Sequence, residues 1–240
     1  DAAVRALEVR TEFVASVRAA PRTPVELALR MRFNPNLQQS WFGSLMEIIN
    51  MVTMLSLILT GAALIREREH GTIEHLLVMP VTPAQIMTAK VWSMGLVVLV
   101  GAAFSLTVMV QRVLHVTVHG SVALWLLAAA LHLVATTSMG IFMATVARSM
   151  PQFGLLVVLT IIPLQLLSGG TTPRESMPEA IRTLMLAAPT THFVSASQAI
   201  LYRGAGLDIV WPQLATVLGI GTVFFTIALR RFRSKLSRMA

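Results

Sequence analysis

The sequence predicts an all-α fold, a polytopic bundle of membrane-spanning helices, and three observations predict it. Hydrophobic residues make up 55% of the chain and charged ones 12%, with a mean hydropathy of +0.72, far from the balance of a water-soluble domain. Apolar runs at roughly 45–65, 91–110, 122–146, 153–167 and 212–229 each approach the ~20 residues that a crossing needs. These runs are continuous, without the alternation of barrel strands, and helices satisfy their own amides in lipid.

Upstream of the first run, Val25, Leu27, Leu29, Met31 and Phe33 alternate with Glu26, Ala28, Arg30 and Arg32, the pattern of a half-buried strand. A lone strand is not stable. Residues 1–38 therefore read as the C-terminal remnant of a small α+β extracytoplasmic domain whose partner strands would precede Asp1, with an amphipathic helix over 2–17. Asn34-Pro35-Asn36 turns the chain towards the membrane, and residues 39–240 form the transmembrane domain.

The first span carries a polar side: Glu47 lies about 9 Å below Trp41 by helix rise, and Asn50, Thr53, Ser56 and Thr60 continue within about 120° of arc. Three readings of this face stand. Glu47 can reach back to the outer interface while the hydroxyls bond their own backbone; the face can line a pathway or a dimer interface; or it can bond a neighbouring helix. His132 in the third span and Gln165 in the fourth are expected to bond neighbouring helices, with substrate binding on a pathway as the alternative, and Gly140 and Ala144 allow a close helix approach. Methionines scattered through every span read as adaptable packing.

Between the first two spans, Arg66, Glu67, Arg68 and Glu69 extend the first helix into water, Gly71 permits a turn, and 72–79 offers a short helix that Pro80 ends. Lying in the headgroup layer is one role for such a helix. Glu67, Glu69, His70, Glu74 and His75 do not make a metal site, since the two histidines, five apart, do not share a helix face.

Four capping boxes mark helix starts: Thr82/Gln85, Ser149/Gln152, Thr172/Glu175 and Ser176/Glu179. Pro83 and Pro173 follow their caps directly, where a missing N–H costs nothing. The fourth run covers only about 22 Å, so it must borrow Gln152 and 168–170 to cross or stop short of one face. After Ser168-Gly169-Gly170 a helix over 173–187 is expected, then one from His192 to Arg203 capped by Thr191 and stopped by Gly204. Together they form an outer lid or a re-entrant pair, with Gly169, Gly170, Thr172, Pro173, Glu175, Thr191 and His192 as gate candidates.

Basic residues in short loops stay cytoplasmic. Arg230, Arg231, Arg233, Lys235 and Arg238 follow the last span, Arg148 marks the turn after the third, and Arg66, Arg68 and Lys90 sit between the first and second. One side collects all three regions, which places the C-terminus in the cytoplasm and residues before 41 outside. The net charge of +8 is explained by this orientation and by contact with anionic lipid, not by nucleic acid. No cysteine is present, which removes disulfides and thiolate sites. Neither H-E-x-x-H nor G-x-S-x-G occurs, and no G-x-x-x-x-G-K-[ST] loop is there to cradle nucleotide, so any ATP is bound elsewhere.

The stretch Glu67 to Thr82, E-R-E-x-G-T-x-E-x-L-L-V-x-P-V-T, resembles the loop of ABC transporter permeases of the type-2 class. Further stretches, Arg32-Phe-Asn-Pro-Asn36, Leu167-Ser-Gly-Gly170 with Thr172-Pro-Arg-Glu-Ser-Met-Pro178, and Pro189-Thr-Thr-His-Phe193, are similar to permeases of that class in the inner membrane of Gram-negative bacteria. The resemblance implies a membrane half-transporter of an ATP-driven exporter, with a further span and most of an extracytoplasmic domain upstream of Asp1. By the same likeness it dimerises with a second permease subunit, identical or not, and couples to a cytoplasmic ABC ATPase that holds ATP and Mg. Glu67, Glu69, Gly71, Thr72 and Glu74 would carry that coupling, and a periplasmic adaptor is a further candidate partner. The rival class is a secondary transporter or channel driven by an ion gradient, although no pair of inverted, broken-helix repeats is visible. A receptor or scaffold is third.

Overall fold

The structure, a computed structural model, describes residues 39–71 and 80–236. The expected strand at 25–33 and the helices over 2–17 and 72–79 lie outside those residues. Helix α1 spans Gln39–Glu69, α2 Pro83–Phe104, α3 Val122–Val146, α4 Met150–Leu167, α5 Glu179–Leu184, α6 Pro189–Arg203 and α7 Leu207–Leu236. Among the described residues there is no strand, and five helices are long and apolar enough to cross a bilayer, as the composition requires.

Local chemistry sets several helix ends. Thr82 caps α2 in a full box: its Oγ1 accepts from the Gln85 amide at 3.3 Å, and Gln85 Oε1 accepts from the Thr82 amide at 2.8 Å. Gly71 ends α1 in the left-handed region at φ 72°, and Gly204 ends α6 at φ 66°, both positions that favour glycine. Helix α1 thus runs 31 residues, its last turn carrying Arg66 and Arg68 beyond the apolar run.

The C-terminal end of the second span departs from a regular helix. Beyond Phe104 it widens into a π-helix over Ser105–Val113, with Arg112 in its last turn. Leu114 N–H donates to Met109 O at 2.9 Å, and His115 then turns the chain at φ 52°. A π segment of nine residues is long for a class found mostly as single turns.

Three of the expected boxes do not form. Ser149 is extended at the start of α4 but makes no side-chain cap; Gln152 Oε1 instead accepts from the Arg148 amide at 2.7 Å. Helix α4 gains Met150–Gln152 at this end, and its 18 residues rise about 27 Å, enough to cross. In place of one helix over 173–187 there is a 3₁₀ turn at Arg174–Ser176, then α5, then a second 3₁₀ turn at Met185–Ala187. Met177 precedes Pro178 and is held extended (φ −86°, ψ 143°), which breaks the helix. Neither Thr172 nor Ser176 caps; the Ser176 hydroxyl donates to Pro173 O at 2.7 Å. Nor does Thr191 cap α6, which starts at Pro189 after an extended Ala188, proline taking the first helical position.

Helix α3 is the hub. It packs on α7, α1, α2 and α6, and 56% of its most apolar stretch is buried, against 17% in α4, which presents Leu155, Leu159, Ile162 and Leu166 outward. Two apolar clusters divide the bundle. One joins Leu45, Ile49 and Val52 of α1 to Trp125 and Leu133 of α3, Phe193 and Ile200 of α6 and Val210 of α7. The other joins Leu57, Leu64 and Ile65 of α1 to Met87 and Val91 of α2, Ile141 of α3, Phe153 of α4 and Phe232 of α7.

Candidate functional site

The end of the bundle that carries Arg66–Gly71 also gathers Lys90, Arg148, Arg230 and Arg231. Phe232, just past Arg230 and Arg231 on α7, packs with Leu64, Met87 and Ile141 in the second cluster, and the Arg231 guanidinium lies 5.4 Å from the Phe142 ring centre. The three basic regions expected on one side are thus on one side.

Three successive residues of α1 tie that end together. Glu67 forms an ion pair with Lys90 of α2, where the Lys90 side chain is 13% exposed. Arg68 Nη1 donates to Ala144 O in the last turn of α3 at 3.3 Å. That carbonyl's helical donor would be the Arg148 amide, which Gln152 takes, so the guanidinium satisfies an orphan at the negative end of α3. Glu69 Oε1 accepts from the Met150 amide at 3.1 Å, at the start of α4. A carboxylate placed there complements the positive end of the α4 dipole and satisfies a first-turn amide that no intrahelical carbonyl reaches. Glu69 and His70 are exposed and Gly71 is half-buried; Thr72 and Glu74 lie outside the described residues. A groove of about 460 Å³ opens beside the Glu67–Lys90 pair, lined by Val81, Gln85, Ile86, Ala89 and Ser93.

Between the two apolar clusters lies a thin polar layer. Thr53 Oγ1 is 2.9 Å from His132 Nε2, and Ser56 Oγ donates to Thr136 Oγ1 at 2.6 Å, while Thr53 and Ser56 also bond carbonyls of α1. The His132 ring stacks on Phe193 of α6, centroids 4.2 Å apart and planes 10° apart. Trp125 Nε1 donates to Ser197 Oγ of α6 at 3.0 Å. The polar side of α1 therefore splits. Thr53 and Ser56 bond to α3 and Thr60 is buried, whereas Glu47 is exposed and Asn50 half-buried. Gln165 is half-buried, its carbonyl within 3.4 Å of the Ser168 hydroxyl that donates to it.

At the opposite end Gly169 takes φ 95°, and Gly170 is buried where a Cβ would meet Met46 of α1. Gln198 Nε2 donates to Gly169 O at 3.5 Å, which pins this turn onto α6. Thr172 is half-buried, and Pro173 and Glu175 are exposed. Thr191 is buried, its hydroxyl without a bond, and His192 Nε2 lies 2.8 Å from Leu186 O. Of the gate candidates, Gly169 and Gly170 lie against α1 and α6. The Glu67–Lys90 pair, the carbonyl that Arg68 holds and the Phe193 stack have no local signal in the sequence: the partners lie 23 to 76 residues away or on a different helix.

A multi-pass helical membrane protein with a charged, knotted-together end and an α1–α2 loop leaving it is the class that these features define. The chain belongs to the ABC-2 type transporter family, whose model matches residues 25–202. It is 63% identical to the inner membrane transport permease YhhJ of Escherichia coli (strain K12) over 95% of this chain and 61% of that protein. Two more distant relatives from the same organism are the probable multidrug ABC transporter permeases YbhR, 31% identical over 88% of this chain and 57% of the relative, and YbhS, 27% identical over 75% and 48%. The chain spans about three fifths of the length of the first of these.

Proposed function

We propose that this chain is the membrane-spanning permease subunit of an ATP-driven ABC exporter, coupled to a separate cytoplasmic ATPase through the 66–80 loop. Family membership and the names of its relatives support the permease role. The observation that carries the coupling is the end of α1. Its Glu67 and Glu69 are bound to α2 and α4, so a push on the loop at Gly71, Thr72 and Glu74 is delivered to three helices and not to one. Hydrolysis on the ATPase, with its ATP and Mg, would then rock the bundle between two packings, while a second permease subunit completes the path.

In this reading the basic end faces the cytoplasm of the bacterial inner membrane and residues before 41 lie outside, following the arginines grouped there. Affinity purification of the chain in detergent is the test: an ABC ATPase co-purifies, and transport in cells stops when that ATPase's phosphate-loop lysine is replaced. Transport driven by an ion gradient, with the ATPase inactive, would overturn the proposal.

A further inference from the structure

We propose that Arg68 and Glu69 act as a paired clamp that locks the α1 end to the α3–α4 turn, so that these two residues transmit movement inside the permease instead of contacting the ATPase. The role in coupling rests on the ATPase reading above; the clamp itself does not.

The two side chains are neighbours on α1 and grip the two sides of a single turn. Arg68 holds the Ala144 carbonyl, where α3 ends, and Glu69 holds the Met150 amide, where α4 begins. Each charge has the sign that its helix end favours: positive at the carbonyl terminus, negative at the amide terminus. Both backbone groups lack a partner of their own. The Arg148 amide is bound by Gln152, which leaves Ala144 O unclaimed, and Met150 N–H, in the first turn of α4, has no intrahelical carbonyl to reach. An unmade bond at either place costs about as much as a lost helix cap, so α1 adds two bonds to an α3–α4 turn whose own side-chain bond is Arg148 to Gln152.

The consequence is directional. Helix α4 is the least buried of the spans, packed along one face through Phe153, Val157, Ile161 and Leu164. At the basic end Glu69 adds a polar attachment to the packing of Phe153. Any displacement of the α1 end by a few ångströms is therefore passed to α4, the helix freest to move, and to the turn Ala147–Ser149 between it and α3. The ATPase then reads the loop beyond Gly71, and the arginine and second glutamate of the motif convert that push into movement of a hairpin.

The absence of cysteine makes the test clean. Nitroxide labels at Arg66→Cys and Arg148→Cys, both exposed positions, report the distance between the α1 end and the turn in the chain reconstituted in nanodiscs. A narrow distribution is expected, broadened by Glu69→Ala and by Arg68→Ala and restored in Glu69→Gln, whose amide oxygen still accepts from Met150 N–H. Equal widths in all four would overturn the clamp. With the ATPase present, Glu69→Ala should lower ATP-driven transport about fivefold, the factor one lost cap represents, with the ATPase still co-purifying, and Glu69→Gln should recover it. Glu69→Gln as defective as Glu69→Ala, or loss of the ATPase from either variant, would mean that the carboxylate charge touches the ATPase, and the proposal falls. If the unaltered chain recovers no ATPase, the coupling reading fails while the label distances still decide the clamp.

Discussion

Thr53 Oγ1 and His132 Nε2 lie 2.9 Å apart at the level where one apolar cluster of the bundle gives way to the other. The contact joins α1 to the hub helix α3, and the His132 ring continues it to α6 by stacking on Phe193. Such a layer fixes register, because a slide of α1 along α3 would leave both polar groups facing hydrocarbon. Thr53→Val keeps the shape and removes the bond, so it should cost roughly 0.5–1 kcal/mol, the scale of hydrogen bonds measured inside membranes. His132→Ala also loses the stack and leaves a cavity, and a loss of about 3 kcal/mol is expected. Thermal unfolding in detergent compares the two, and a His132→Ala variant as stable as Thr53→Val would show that the ring is not packed as described.

Gly140 and Gly61 let α1 and α3 approach backbone to backbone. A Cβ at Gly140 would stand 2.7 Å from Leu57 O, and one at Gly61 2.9 Å from Gly140 O, neither of which can swing away. Gly140→Ala should therefore force the helices apart and cost about 1–3 kcal/mol. Gly154 of α4 has nothing within 4 Å, so Gly154→Ala should be neutral or stabilise by up to ~1 kcal/mol through helix propensity. The pair of melts separates close packing from a general intolerance of the spans, which would lower both alike.

The Glu67–Lys90 pair crosses from α1 to α2 at the mouth of the groove. With Lys90 mostly covered and the Glu67 side chain 32% exposed, solvent still screens the pair, and a coupling of about 1 kcal/mol is expected. Lys90→Glu should weaken the fold at this end, and adding Glu67→Lys should restore it. A double-mutant cycle with no coupling energy would place the pair among inert surface contacts.

Helix ends whose determinants are near in sequence are legible in the residues alone. Thr82, Pro83 and Gln85 start α2 as the box requires, and Gly71 and Gly204 end their helices. The failures have one physical source, a determinant outside the local pattern. Ser149 and Gln152 have the spacing of a box, but Glu69, 81 residues from Met150, supplies the acceptor at that helix start. Thr172 and Ser176 have it too, but Met177-Pro178 forbids the helix they would cap. Likewise the polar face of α1 reads as single because spacing gives angles, not neighbours; only α3 decides that Thr53 and Ser56 turn inward while Glu47 remains exposed.

Glu69→Lys separates folding from coupling most sharply. The substitution places a positive charge beside the Met150 amide, at the positive end of the α4 dipole, and also changes the sign of one exposed residue of the loop motif. Loss of the carboxylate acceptor costs ~1 kcal/mol and the reversed charge adds up to about 1 more. Neither is enough to block insertion, which the apolar runs decide. The expected phenotype is a chain present in the membrane at wild-type level whose partner ATPase is no longer stimulated. Immunoblotting of membranes and ATP hydrolysis by the reconstituted complex measure the two halves. Wild-type stimulation in Glu69→Lys would remove this residue from the coupling path, and with it the mechanical link from the α1 end to α4.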